Sequence, residues 1–202
     1  AIEWIQEKDM WVSSDDYGQD LETVRSLIVK HDGFEQDLAA ISEQVEATTK
    51  EAEKLLERFP DAAEHITHKH EEMVQAWNVL LEKANARKLK LQEAESLQMY
   101  FDDYRELRAW CSEMMAIITS DDLPRDVSAA EALINRHKEH RAEIDTRNKD
   151  INKFSQTGKR LIADGHFLSE EIQYKIQQLN TAWEQLLAVW EARRDLYDQN
   201  LD

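Results

Sequence analysis

Apolar residues recur along this chain at alternating intervals of three and four positions. This spacing is a heptad pattern, which predicts α-helices wound about one another in a left-handed bundle. Three seams carry the pattern: Val24, Leu27, His31, Phe34, Leu38, Ile41, Val45, Thr48, Ala52 and Leu55; then Leu97, Tyr100, Tyr104, Leu107, Cys111, Met114 and Ile118; and finally Ile172, Ile176, Leu179, Trp183, Leu186 and Trp190. The pattern therefore predicts an all-α fold.

The chain also repeats itself at a fixed interval. Trp4 and Trp110 are 106 residues apart, and Trp77 and Trp183 have the same separation. The same register pairs further residues, among them His31 with His137, Asp20 with Asp126, and Arg87 with Arg193. A copy interval of this length indicates that each copy is a small domain rather than a single helical hairpin. We therefore predict two tandem, antiparallel three-helix bundles.

The predicted boundary between the two copies lies inside a helix. No glycine or proline occurs between Pro60 and Pro124, so nothing there obliges a helix to stop. A helix of about sixty residues would span on the order of 85 Å, more than a domain of this size. We expect it to leave the first domain, residues 1–90, and enter the second, residues 91–202.

The repeat register predicts that the first helix of the first copy is truncated. Only three residues precede Trp4, whereas a long stretch of helical sequence precedes Trp110. Part of the groove between the other two helices is expected to lack its apolar cover. We expect this end either to fray or to pair with another molecule.

Amino-acid composition and net charge limit the fold classes and the binding partners that we expect for this chain. The chain is 42% hydrophobic and 33% charged, with four Gly and two Pro, which favours long helices over a turn-rich sheet. A formal net charge of −17 argues against nucleic acid as a partner. The basic residues Lys83, Arg87, Lys88 and Lys90 could contact anionic lipid or an acidic protein, but a solvated helix face is the favoured interpretation.

The cysteine count and the hydropathy pattern favour an intracellular location. Cys111 is the only cysteine, so an intrachain disulfide is excluded and a reducing compartment is the simpler reading. No apolar run reaches the roughly 20 residues needed to cross a bilayer, and the first residues do not resemble a signal peptide. We expect a cytoplasmic protein segment without transmembrane insertion.

Three histidines are candidates for metal ligands. His65 and His68 stand three residues apart on a predicted helix and His70 follows, a spacing that could bring two imidazoles to one metal ion. No carboxylate or thiol is arranged to complete the site, and the second copy has no histidine at the matching positions. Exposed helix residues are the favoured interpretation, and we predict no metal site.

His31 and His137 occupy seam positions in both copies, with His140 close to the second. A histidine inside a bundle could act as a pH-sensitive element, because burial and neighbouring groups move its protonation range. A hydrogen-bonded structural histidine is the favoured alternative. The four tryptophans of the repeat are likewise expected to fill the core rather than to bind a ligand.

The sequence gives no indication of an enzyme active site. The sequence contains no nucleophile motif, phosphate loop or dinucleotide fingerprint, and Gly18, Gly33, Gly158 and Gly165 stand alone. We therefore predict no catalytic residues, no cofactor-binding residues and no cofactor.

Several strings resemble the spectrin repeat, an antiparallel three-helix bundle of about 106 residues with a tryptophan in its first helix and another in its third. The resemblance covers the whole chain and looks strongest to alpha-spectrin or beta-heavy-spectrin. The strings are residues 3–8, 14–21 and 30–35 in the first copy, and 121–127 and 131–137 in the second.

The resemblance implies a cytoskeletal function. It implies an elastic rod segment of an actin-cross-linking protein beneath the plasma membrane, at the cell cortex, acting as a spacer and docking scaffold. The implied partners are other spectrin-family chains, actin through domains outside this segment, and membrane adaptor proteins. Two alternatives stay open: a dedicated protein-binding module for a membrane protein or adaptor, and an antiparallel dimerising rod of the alpha-actinin type.

Overall fold

Five α-helices account for most of the chain. The computed structural model describes residues 1–120, 124–165 and 168–199, and within these ranges there is no β-strand. The helices are α1 Ile2–Val12, α2 Leu21–Arg58, α3 Ala63–Ser120, α4 Val127–Ala163 and α5 Ser169–Gln199, and a short 3₁₀ turn, Pro60–Ala62, precedes α3. The predicted all-α fold is confirmed.

The chain divides into two compact units, Ala1–Met99 and Tyr100–Asp202. Helix α3 contributes to both, because residues 63–99 belong to the first unit and residues 100–120 to the second. The uninterrupted helix that the sequence predicts between the two prolines is therefore present, ending at Ser120.

Three helical segments share one core in the first unit. The core residues come from α1, α2 and the first part of α3: Ile5, Val12, Phe34, Leu38, Ile41, Val45, Met73, Trp77, Leu80 and Ala84. Lys8 of α1 and Asp37 of α2 are 3.0 Å apart, while Lys83 of α3 lies 3.0 Å from Asp9 of α1. Further along α1, Trp11 stacks on Phe34 of α2, and Arg87 of α3 donates to the Ser14 carbonyl just beyond the end of α1. Contacts therefore move backward along α2 and forward along α3, so α2 is antiparallel to α1 and α3 is parallel to it.

The second unit repeats this arrangement with the last part of α3, α4 and α5. The Tyr100 ring of α3 stacks on Phe154 of α4 at 4.1 Å between centroids. His137, near the start of α4, contacts Trp190, near the end of α5, so α4 and α5 are antiparallel. Trp110 of α3 lies against Trp183 of α5.

An aspartate caps the second helix of each unit. The Thr23 backbone N–H donates to Asp20 Oδ1 at 2.8 Å, and the Asp20 backbone N–H donates in return to Thr23 Oγ1 at 3.2 Å. In the second unit the Ala129 backbone N–H donates to Asp126 Oδ1 at 2.7 Å. The bond from the Thr23 N–H lowers the pKa of Asp20, because it stabilises the carboxylate form. This shared cap explains why the 106-residue register includes the two aspartates.

The first predicted seam is correct over most of its length and wrong at its end. Residues from Val24 to Val45 at the predicted spacing are mostly buried, whereas Leu55 is 37% exposed. Helix α1 has only 11 residues and runs antiparallel to α2, so it covers the N-terminal part of α2 alone. Within the described residues of the first unit, α1 does not extend over α2 beyond Val45, and the expected fraying or pairing of this end stays a prediction.

Candidate functional site

The tryptophans of the repeat lie in or beside the cores. Trp77 and Trp183 are buried, with 9% and 8% of their surface exposed, and Trp4 and Trp110 are half-buried against them. The ring centroids of Trp110 and Trp183 are 6.3 Å apart. These indoles fill space between helices, which supports the prediction of a packing function rather than a ligand-binding box.

The buried histidine of the second unit joins two helices. His137 Nε2 donates a hydrogen bond to the Trp190 backbone carbonyl at 2.7 Å, and Trp190 Nε1 donates to the His137 carbonyl at 2.8 Å. The two rings stack with centroids 4.4 Å apart and planes within 3° of parallel. The prediction of a hydrogen-bonded structural histidine is confirmed at this position.

The corresponding histidine of the first unit has a different environment. His31 is 2% exposed, and its ring nitrogens have no hydrogen-bond partner among the described residues, although Nε2 lies 3.4 Å from Glu35 Oε1. The His31 ring stacks with Phe34, which in turn stacks on Trp11 of α1 at 4.6 Å. The prediction of a hydrogen-bonded histidine is therefore wrong for His31.

The difference follows from three linked changes in the repeat register. The first unit has Ala84 where the second has Trp190, so no indole reaches its histidine from the third helix. The aromatic neighbours of His31 are instead Trp11 and Phe34. At the positions 106 residues later, the second unit has Ile117 and His140. The sequence carried this signal, because Trp11 and Trp190 are the two tryptophans without a tryptophan 106 residues away.

An arginine of the third helix of each unit donates to main-chain carbonyls at or just beyond the end of the first helix; Arg87 is buried, whereas Arg193 is half-buried. Arg87 is 6% exposed, and its guanidinium donates to the carbonyls of Ser14 at 2.7 Å and Asp16 at 3.0 Å. In the second unit Arg193 donates to the Thr119 carbonyl at 2.9 Å. The register paired these arginines, but their acceptors are main-chain atoms without a sequence signature. Their function is to satisfy carbonyls at a helix end.

The basic segment around Arg87 is paired within its own unit. Lys83 lies 3.0 Å from Asp9, and Lys88 lies 3.8 Å from Glu35. The Lys90 ammonium lies 5.6 Å from the centroid of the Tyr17 ring, and the Arg87 guanidinium lies 5.4 Å from it. These contacts favour the interpretation as a helix face with local pairs over a lipid-binding or acidic-protein site.

The three histidines at the start of α3 are not brought together. His65 and His68 are exposed, whereas His70 is half-buried and its Nε2 is hydrogen-bonded to Thr49 Oγ1 at 2.9 Å. Over residues 1–120, 124–165 and 168–199, no group of three or more His, Cys, Asp or Glu side chains has a geometry suited to a metal ion. The absence of a metal site stays a prediction.

Cys111 is buried, and burial raises the pKa of its thiol, because the thiolate loses its hydration. Helices within the described part of the chain all fall short of the length and apolarity that crossing a membrane requires.

A tyrosine hydroxyl in the second unit is buried against a glycine. Tyr100 is 4% exposed, its hydroxyl has no hydrogen-bond partner among the residues that the structure describes, and burial raises its pKa. A Cβ atom on Gly158 would lie 2.2 Å from this hydroxyl oxygen and 2.6 Å from Ile176 Cδ1. Gly158 therefore makes room for the phenol.

We expect Tyr100→Phe to raise the free energy of unfolding by about 1 kcal/mol, because it removes a buried hydroxyl without a partner. Gly158→Ala is expected to lower it by roughly 1–3 kcal/mol through overpacking. The double variant should be more stable than the sum of the two effects predicts, since the phenylalanine frees space for the new methyl group. Urea denaturation of the four proteins measures the coupling, and strict additivity would contradict this account.

The comparisons with known proteins agree with this architecture. The family model for the spectrin repeat matches residues 1–93 and residues 95–199. The spectrin alpha chain, erythrocytic 1, of Mus musculus is 34% identical over 202 residues, which is 100% of this chain and 8% of the relative. The spectrin beta chain of Drosophila melanogaster is 35% identical over 190 residues, or 94% of this chain and 8% of the relative.

These matches define the class of protein and what it contributes. The chain belongs to the spectrin repeat family and consists of spectrin repeats, which form structural segments of spectrin proteins. The family is structural rather than enzymatic. The chain spans about 8% of the length of the curated relatives it matches, so it corresponds to a short segment of such a protein.

Proposed function

We propose that this chain is a spacer in the rod of a membrane-skeleton protein that cross-links actin, with repeats at residues 1–90 and 91–202. Helix α3 is the observation that carries the proposal. It runs without a break from Ala63 to Ser120 and supplies buried residues to both units, such as Leu80 and Leu107. Tension that frays this helix therefore withdraws core residues as well as breaking backbone hydrogen bonds.

The proposal includes a setting and a set of partners. The chain works in the cytoplasm at the cell cortex, where other spectrin-family chains associate with the parent protein and actin binds domains outside this segment. Membrane adaptor proteins are further partners of the parent. The segment itself is not an enzyme and needs no cofactor or metal. Its relatives among both alpha and beta spectrin chains support this assignment.

Stretching a single molecule between its two ends tests the spacer function. Each unit holds about 100 residues, so its unfolding should lengthen the tether by on the order of 350 Å. If helix α3 couples the units, a fraction of events should release both together, with a gain of roughly 700 Å. The unfolded chain should refold when the force is removed. A chain that lengthens without discrete steps does not bear load in its folded state, and this outcome would defeat the proposal.

A further inference from the structure

Helix α4 carries an unpaired basic stripe on the face opposite the core of the second unit. The stripe consists of Lys149, Lys153, Lys159 and Arg160, together with the polar residues Asn152 and Gln156, and all six side chains are exposed. The core side of the same stretch carries Ile151, Phe154 and Gly158, which are buried. Between residues 151 and 163 the sequence contains no aspartate or glutamate.

The cations of the stripe differ from the other arginines of α4 in how they are paired. Arg141 lies 3.0 Å from Asp145, and Arg147 lies 3.6 Å from Glu106 and 3.8 Å from Asp150. Within the described ranges, none of the four stripe cations forms a hydrogen bond or an ion pair through its side chain. The pKa of Asp103 is raised, chiefly because burial removes hydration from its carboxylate, and Lys153 offsets only part of this rise at longer range. The stripe therefore offers positive charge to another molecule in a chain whose net charge is −17.

Comparison with α2 of the first unit shows whether folding requires positive charge on this face of the helix. In the 106-residue register Lys149 corresponds to Glu43, Lys153 to Ala47 and Lys159 to Glu53, whereas Arg160 corresponds to Lys54. These residues of α2 are also exposed. The same helix face thus folds with carboxylates in place of two of the cations. The positive charge is consequently a property of the second unit and not a requirement of the fold.

We propose that this basic stripe docks a partner protein through a helix that presents a row of carboxylates. Lys149, Lys153, Gln156 and Arg160 follow the i, i+4, i+7, i+11 spacing of one helix face, over about 17 Å. A partner helix that lies along α4 would contact only this narrow row of side chains. Charge complementarity of this kind sets orientation and encounter rate, and salt screens it.

A membrane surface fits the same stripe less well. The six stripe positions include no large apolar side chain to insert into lipid, and stable attachment to a bilayer takes more than a single weak signal. An anionic bilayer is broad, so it would also meet Asp145 and Asp150, which flank the stripe.

Binding of a defined acidic helix tests the proposal. The probe is a labelled synthetic peptide, held helical, with glutamates at i, i+4, i+7 and i+11, and the control peptide has glutamine at those positions. We expect the whole chain to bind the glutamate peptide in low salt, to bind the glutamine peptide at least about tenfold more weakly, and to release both as salt rises toward about 0.3 M. Equal binding of the two peptides would overturn the proposal.

Two charge-reversal variants locate the binding site. Lys149→Glu with Lys159→Glu installs the residues that the first unit already carries, so folding should be unchanged by circular dichroism. This variant should lose about tenfold or more in affinity. Lys50→Glu with Lys54→Glu makes the same change in net charge on the matching face of α2, and it should bind like the parent. If both variants weaken binding equally, the change in the overall charge of the chain explains the result and the stripe is not the site.

A transplant and a vesicle measurement complete the test. Glu43→Lys, Ala47→Lys and Glu53→Lys together build a second stripe on α2, and the number of peptides bound per chain should rise from one to two. Vesicles containing about 30% phosphatidylserine serve as the lipid probe. Stripe-dependent binding to these vesicles without binding to the glutamate peptide would replace the protein partner with a membrane and overturn the proposal as stated.

Discussion

Replacing Trp190 with alanine is expected to lower the free energy of unfolding of the second unit by roughly 3–5 kcal/mol. Trp190 is 6% exposed and stacks on His137 at 4.4 Å. Its loss opens a cavity and removes the hydrogen bond from Trp190 Nε1 to the His137 carbonyl, while the backbone carbonyl that accepts from His137 Nε2 stays in place. The transfer and cavity contributions therefore dominate the expected loss.

Urea denaturation followed by circular dichroism measures this loss, with hydrogen exchange at Ile144 to Phe154 assigning it to the second unit. The first unit supplies a designed rescue, because it folds with Ala84 at the matching position. Adding Ile117→Trp and His140→Phe to Trp190→Ala recreates the Trp11, Phe34 and Ala84 arrangement of the first unit. This triple variant should recover at least about 1 kcal/mol from the new aromatic contacts. A loss below about 1 kcal/mol for Trp190→Ala alone would contradict the account.

The heptad spacing and the 106-residue register contained enough information to predict the helices and their order. Apolar spacing reports directly on which face of a helix is buried, so Val24 to Val45 and Ile172 to Trp190 were identified as core. The continuity of α3 followed from the missing Gly and Pro residues. The error at Leu55 arose because periodicity describes one helix, whereas burial depends on whether a neighbouring helix extends that far.

The side-chain arrangements were predicted less completely, for physical reasons that differ from site to site. Arg87 and Arg193 donate to backbone carbonyl oxygens. Because every residue has such an oxygen, the sequence does not indicate which residue accepts the hydrogen bond. Gly158 is small because Tyr100 approaches from another helix, and nothing local to the glycine indicates this contact. The shared position of His31 and His137 suggested one environment, although the surrounding aromatic residues are exchanged between helices.

Identification of the basic stripe on α4 required both the sequence and the structure. Charge along the sequence led us to consider only the segment from Lys83 to Lys90 as a basic binding surface, and it did not identify the stripe on α4. The structure separates the two stretches, because Lys83 and Lys88 have carboxylate partners within the first unit and the stripe cations have none among the described residues. Unpaired charge on a face that the repeat does not need for packing is therefore the more informative signal for a binding surface.

Proline at position 86 is expected to break the continuity of α3 on which the proposed spacer function depends. Ala86 is exposed and lies within the helix, between the buried residues Ala84 and Arg87. Proline removes one backbone hydrogen bond and clashes with the preceding turn, which costs about 3 kcal/mol or more, while Ala86→Gly costs only about 1 kcal/mol. The proline should also disturb the hydrogen bonds from Arg87 to the Ser14 and Asp16 carbonyls, because Arg87 directly follows the substituted residue.

The consequence for coupling separates this variant from ordinary destabilisation. Hydrogen exchange in urea should show Phe34 to Val45 of the first unit opening together with Ile144 to Phe154 of the second in the parent and in Ala86→Gly. In Ala86→Pro the first unit should open at lower urea while the second keeps its own stability, because an interrupted helix no longer transmits fraying from one core to the other. If the two segments already open independently in the parent, helix α3 does not couple the units, and the spacer loses its proposed mechanism.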